Sequence, residues 1–187
     1  TQANFTGTGN ITQTGAIIAS ALTADVTGAI TLTDTSNNVS SVSLKTTGAG
    51  NGVSYVDSND FTVNTTNGVT GVSTSTSAGI NLTAVTGKVT VSSAISANNG
   101  DVAITADQMD IASSVSGQRV TLKSTTSGDA VDLGSTTDTA TNTLELSDAE
   151  LDNISASYLE IGSTTQGAID VSSDLTPAAI TVLHLKS

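Results

Sequence analysis

The sequence predicts an all-β chain wound as a parallel β-helix, and three observations point to it. Residues 79–122 hold four segments in which a glycine is followed closely by two aliphatics flanking one other residue: Ile80-Asn81-Leu82, Val89-Thr90-Val91, Val102-Ala103-Ile104 and Val120-Thr121-Leu122. That i, i+2 spacing puts both aliphatics on one face of a strand and sends the residue between them the other way; no helical period fits it. The first aliphatics Ile30, Val53, Ile80, Val102, Val120, Leu144 and Ile169 recur in steps of 23, 27, 22, 18, 24 and 25, which predicts about 20–25 residues per coil. Finally, the composition is light in aromatics (2%) and charges (12%) and rich in small β-branched residues, which suit closely stacked pleated surfaces.

In chain order, Ile17 and Leu22 precede Ile30-Thr31-Leu32, and a turn over residues 34–38 leads to Val42-Ser43-Leu44. Val53-Ser54-Tyr55 and Phe61-Thr62-Val63 follow. Their surroundings, residues 46–79, hold six glycines and predict a longer loop or a widened coil. The segment from Leu22 to Leu32 resembles that from Leu82 to Val91 with one deletion, as expected of repeats. After residue 122 come Val131-Asp132-Leu133 in a Ser/Thr-rich stretch (124–143), Leu144-Glu145-Leu146, Leu159-Glu160-Ile161, Ile169-Asp170-Val171 and Ile180-Thr181-Val182. The spacing does not change, so residues 1–187 read as one solenoid. A sandwich would need hairpin turns throughout, and the Asn67-Gly68 and Asn99-Gly100 candidates are too few to organise this many strands. Ile80, Leu82, Val102, Ile104, Val120, Leu122, Leu144, Leu146, Leu159, Ile161, Ile169 and Val171 are expected inside. Asn81, Ala103, Thr121, Glu145, Glu160 and Asp170 are expected outside. No amphipathic capping helix is read at either end, so a further coil is expected there.

The net charge is −12 with five Lys and Arg, too few cations to neutralise a nucleic-acid backbone or to favour an anionic membrane surface. No apolar run is long enough to span a bilayer. With no cysteine, neither disulfides nor thiolate metal sites are in play.

Glu145, Asp132 and Glu160 each lie between two inward aliphatics, so they could stack as an outward carboxylate column. A paired-carboxylate glycosidase or lyase would be the catalytic use of such a column; a solvated acidic stripe is the bland one. Asp57-Ser58-Asn59-Asp60 reads as an Asx turn in place of a calcium loop, and His184 as an outward residue on the last strand. Asn37-Asn38, Asn64 with Asn67, and Asn98-Asn99 fall in turns, where their amides could form ladders between coils. Sequons occur at Asn4, Asn10, Asn38, Asn64, Asn81 and Asn153. No catalytic, cofactor-binding or metal-ligating residue is expected, and folding is expected not to need calcium.

Residues 9–34, with the later runs Val131-Asp132-Leu133-Gly134-Ser135, Leu146-Ser147-Asp148-Ala149-Glu150-Leu151-Asp152-Asn153-Ile154 and Leu159-Glu160-Ile161-Gly162-Ser163, resemble the rod repeats of the filamentous haemagglutinin-like adhesins. These are large bacterial exoproteins exported by two-partner secretion. The resemblance covers nearly the whole chain and implies a right-handed β-helix rod, extracellular at the bacterial cell surface. The family's secretion domain and its Asn-Pro motifs have no counterpart here, which implies an internal segment of a longer chain. The expected function is a non-catalytic rod that spaces or presents a binding region for cell adhesion. The alternatives are a subunit of a head-to-tail extracellular filament and, behind it, a carbohydrate-active enzyme. Expected partners are neighbouring coils at both ends and a host-surface glycan or protein, with no nucleic acid and no membrane insertion.

Overall fold

A computed structural model describes all of residues 1–187. The chain is all-β apart from a single helical turn, Asp148–Asp152. Its strands are short and almost all paired in parallel, the arrangement compatible with a β-solenoid. No helix is long and apolar enough to cross a membrane.

Three ladders run along the stack. The first aligns Ile11, Ile30, Val53, Ile80, Val102, Val120, Leu159 and Leu183. The second aligns Leu44, Val72, Ile95, Val115 and Ile154, with strands Gln2–Gly7 and Ala21–Val26 below them. The third begins with Phe61–Val63, Lys88–Val91 and Gln108–Ile111. A regular coil therefore visits the first, third and second ladders in turn, as residues 80–96 do. Inward aliphatics from all three meet in one continuous core of 37 buried residues. Glycine at the coil entries follows from this close stacking: a Cβ on Gly100 would lie 2.1 Å from the carbonyl oxygen of Ala78 in the coil below.

The period from Ile30 through Val120 agrees with the spacing of the sequence and then departs from it. Val120 pairs with Leu159, 39 residues on, and not with Leu144. Leu144 and Ile169 both belong to the third ladder, on opposite sides of Val131. Strand Thr143–Leu146 packs against Gln108–Ile111, strand Ala130–Leu133 lies above it, and Ile169–Val171 lies above that. The chain thus places 130–133 first and steps back one layer to insert 143–146. Equal spacing of apolar pairs cannot reveal this, because it gives the face of each strand but not the order of layers.

Ten of the twelve expected core residues are buried, from Ile80 to Ile161. Ile169 is only half-buried and Val171 is 53% exposed, because their strand is the last of its ladder and nothing covers it. Asn81 and Asp170 are exposed and Ala103, Thr121 and Glu160 half-buried, but Glu145 is 7% exposed, a correction taken up below. The likeness between the segments starting at Leu22 and Leu82 does not mark equivalent strands, since Leu22 sits on the second ladder and Leu82 on the first.

The glycine-rich region 46–79 resolves into two features. Residues 53–63 form a widened coil that buries Tyr55 against Phe61 in an edge-to-face pair, centroids 5.3 Å apart. Residues 65–70 form an antiparallel hairpin through Asn67 and Gly68, both at positive φ as a two-residue hairpin turn requires. The hairpin folds over the second face. Asn67 Nδ2 donates to Thr23 Oγ1 and Thr66 Oγ1 to Ser43 Oγ, which donates to the Asn64 carbonyl, so that Thr23 and Ser43 are buried but satisfied. Asn99-Gly100, the other candidate turn, joins strand Ile95–Ser96 of the second ladder to strand Val102–Thr105 of the first, with which it does not pair.

Candidate functional surface

Most of the chain's charged side chains fall on two faces, with the Asp25–Lys45 ion pair on the second. Outward positions of the third ladder carry Asp110, Glu145, Asp132 and Asp170, the last three in direct register. The expected column of Glu145 with Asp132 is therefore present, whereas Glu160 belongs to the first ladder, beside Thr121 and His184.

Glu145 points away from the core and is covered by residues 135–140. Ser135 Oγ and Thr137 Oγ1 each donate to its Oε1 at 2.6 Å, and the Thr139 and Ala140 amides donate to Oε2 at 2.9 and 2.8 Å. Burial alone would raise its pKa, but the four donors outweigh it and hold the carboxyl down at about 2. Leu144 and Leu146 remain fully buried, so the register stands; what changes is the outer surface, which the loop between the two displaced strands seals.

That loop also carries Asp138 to Asp110 and Glu150, with one oxygen of each within 4.8 Å of the others. Burial, then the charge of Glu150, pushes the Asp138 carboxyl up to about 6; Lys88 opposes this and Asp110 and Glu145 add to it. These are the three groups that could hold a cation. Glu150, however, is already committed: Oε1 accepts from the Ile111 amide, and Oε2 from Ser147 N and Oγ in the capping box of the helical turn. Asn153 Nδ2 completes the join by donating to the Ile111 carbonyl. The Ser147-x-x-Glu150 spacing was the available sequence signal for this turn. The approach of Asp138 had none, because it depends on the displaced layer.

Nearby, Asp107 and Asp129 line a shallow recess of about 260 Å³ with Gln108 and Thr141, and no basic side chain joins them. Asp107 accepts from the amide and hydroxyl of Thr126. Deeper in the stack, Asp57 is fully buried and accepts from the Val39 amide and the Tyr55 hydroxyl. Burial pushes up the pKa of both side chains; for Asp57 its hydrogen bonds work the other way. The Asn59 amide reaches Asp57 Oδ1, closing the expected Asx turn. One amide pair between coils forms, but it joins Asn37 to Gln13. Asn67, Asn98 and Asn99 serve instead as positive-φ turn residues.

The first face is different. Arg119, Tyr158 and Val182 stand side by side on adjacent strands, with Glu160 and His184 in the row two residues on. The Arg119 guanidinium lies over the Tyr158 ring, 4.9 Å from its centroid. His184 does face outward, and its Nδ1 is 3.1 Å from Glu160, to which Lys186 also points. Arg119 and Lys123 have no carboxylate within ion-pair distance. Asp101, Gln118 and Ser157 join Arg119 and Tyr158 around a recess of about 290 Å³.

No family model matches the chain, and neither a curated protein nor a solved structure matches it.

Proposed function

We propose that this chain is a non-catalytic, right-handed β-solenoid rod segment of a bacterial surface adhesin of the filamentous haemagglutinin kind, working outside the cell. The observation that carries the reading is where apolar surface remains uncovered. Of the large hydrophobic residues left exposed, Phe5 at one end of the stack and Val171, Leu183 and Leu185 at the other lie in inward columns, while Ile18 and Val182 face outward in register with Asn38 and Tyr158. The four inward ones sit on the first or last strand of their ladders, where no neighbouring strand covers them. Leu183 and Leu185 continue the columns of Leu159 and Ile161. Further coils seated on these ends, from the same polypeptide or from a subunit stacked head to tail, would cover them. Polar outer faces of Thr, Ser and Asp suit a spacer that makes weak, repeated contacts with a host-surface glycan or protein. Antibodies raised against the folded chain should label the outside of unpermeabilised producing cells, and a panel of polysaccharides should yield no product with the chain. Labelling confined to the cytoplasm, or a released sugar product, would overturn the reading.

A further inference from the structure

The distribution of charge between the two faces has a consequence for how such rods meet. In a chain of net charge −12, three of the five Lys and Arg, together with the lone histidine, lie on the first face over the last three strands of its ladder. They are Arg119, Lys123 and Lys186, with His184; Glu160 stands among them and faces His184 and Lys186. Arg119 and Lys123 hold no carboxylate of their own chain. The third face is the opposite: Asp110, Asp132 and Asp170 occupy its outward column, Asp138 stands beside them, and Lys88 is its cation. Asp132 and Asp170 are direct neighbours in register, and like charges directly opposite on paired strands repel. Arg119 and Lys123 lie four residues apart on one strand and Lys186 two strands further on, so the cations form a patch on the first face, opposite in sign to the Asp132–Asp170 patch on the third.

We infer that two copies of this chain associate side by side, the cationic first face of one against the acidic third face of the next. The contact is heterologous: one copy keeps its acidic third face free and the other its cationic first face. Association therefore does not close, and it builds laminar bundles in place of a dimer. This contact lies on the flanks and is independent of any stacking at the ends.

The test is sedimentation velocity on the intact chain across concentration, at about 20 mM and about 500 mM salt, because screening discriminates surface charge pairing from apolar contact. Salt-sensitive self-association is expected. It should weaken by about tenfold or more in the Arg119→Glu/Lys123→Glu variant and likewise in the Asp132→Lys/Asp170→Lys variant, with circular dichroism confirming that each is folded. Mixing the two variants pairs an acidic first face with a basic third face and should restore association between them. The inference is overturned if the chain stays monomeric at low salt. It is overturned equally if both variants associate like the parent, or if the mixture fails to associate. Association abolished by Leu183→Asp/Leu185→Asp, and indifferent to the charge reversals, would assign the contact to the ends and overturn it too.

Discussion

Residues 80–123 and residues 124–153 build adjacent parts of one stack by different means. In the first region each inward side chain meets an aliphatic from the coils on either side: Val102 lies between Ile80 and Val120, and Ile104 between Leu82 and Leu122. Burial of apolar area is the main stabilising term there, and it is spread evenly along the columns. The second region keeps aliphatics inward but reverses the order of two layers, so its loop and its helical turn cannot rely on the regular ladder. Charged and amide side chains bonded to backbone hold them: Glu145 to Thr139 and Ala140, Glu150 to Ile111 and Ser147, Asn153 to Ile111. Regular coils are thus tolerant of outward substitution and intolerant of polar cores, while the displaced layer depends on a few carboxylates.

The sharpest contrast comes from breaking each region in its own currency. Val102→Asp places an unpaired charge in an aliphatic column and should cost about 3–5 kcal/mol, read as a global fall in the denaturation midpoint. Glu145→Ala leaves two amides and two hydroxyls without their acceptor. Its cost should be smaller, about 2–3 kcal/mol, and local: hydrogen exchange should accelerate at Thr139 and Ala140 while the amides of residues 102–105 stay protected. Equal acceleration in both regions would erase the distinction.

Titration sharpens the comparison further. Because the pKa of Glu145 is depressed to about 2, the stability it contributes is present above its ordinary carboxylate range and is lost as pH falls towards 2. Asp138 has the opposite sign. Its pKa is raised from 3.8 to about 6, so the folded form binds the extra proton between those values and stability declines as pH rises through about 6. Asp138→Asn should therefore stabilise the chain at neutral pH by about 1 kcal/mol, a figure discounted for partial solvent exposure, and should flatten the pH dependence between 4 and 6. A loss of stability in this variant at pH 7 would show that Asp138 is held ionised by its surroundings. The smallest effect is expected from metal removal. With both Glu150 oxygens engaged by protein donors, a chelator should leave the melting temperature unchanged, and a marked fall would give the Asp110–Asp138–Glu150 grouping a structural cation.

Face and burial were largely legible in the sequence because they depend only on the two-residue period: the pairs from Ile80 to Leu122 are inward, and their register along the first ladder follows the spacing. Val72 and Ile95 on the second ladder were harder to see, since their strands are two residues long and carry one aliphatic each. The enclosure of Glu145 was illegible for a stronger reason. A carboxylate between two leucines reads as outward, which it is, and nothing local says that a loop five to ten residues upstream returns to cover it. The cationic face had the same obstacle, because Arg119, Tyr158 and His184 become neighbours only through the 39-residue step from Val120 to Leu159.

The order of layers on the third ladder is the claim on which the surface chemistry rests, and a chain without cysteine allows it to be tested by disulfide trapping. The register sets Ala130 beside Thr143 on one side; on the other, Val131 pairs with Ile169 and its amide donates to the Ala168 carbonyl, which brings Ala168 alongside Ala130. Adjacent parallel strands lie about 4.8 Å apart, within the Cα range a disulfide bridges, whereas two layers exceed the limit of about 7 Å. Under mild oxidation, Ala130→Cys/Ala168→Cys should form the bond in the folded chain and Thr143→Cys/Ala168→Cys should not. Stacking in simple chain order, with 143–146 between 130–133 and 169–171, requires the reverse. Ready bond formation by the Thr143/Ala168 pair alone would contradict the displaced layer.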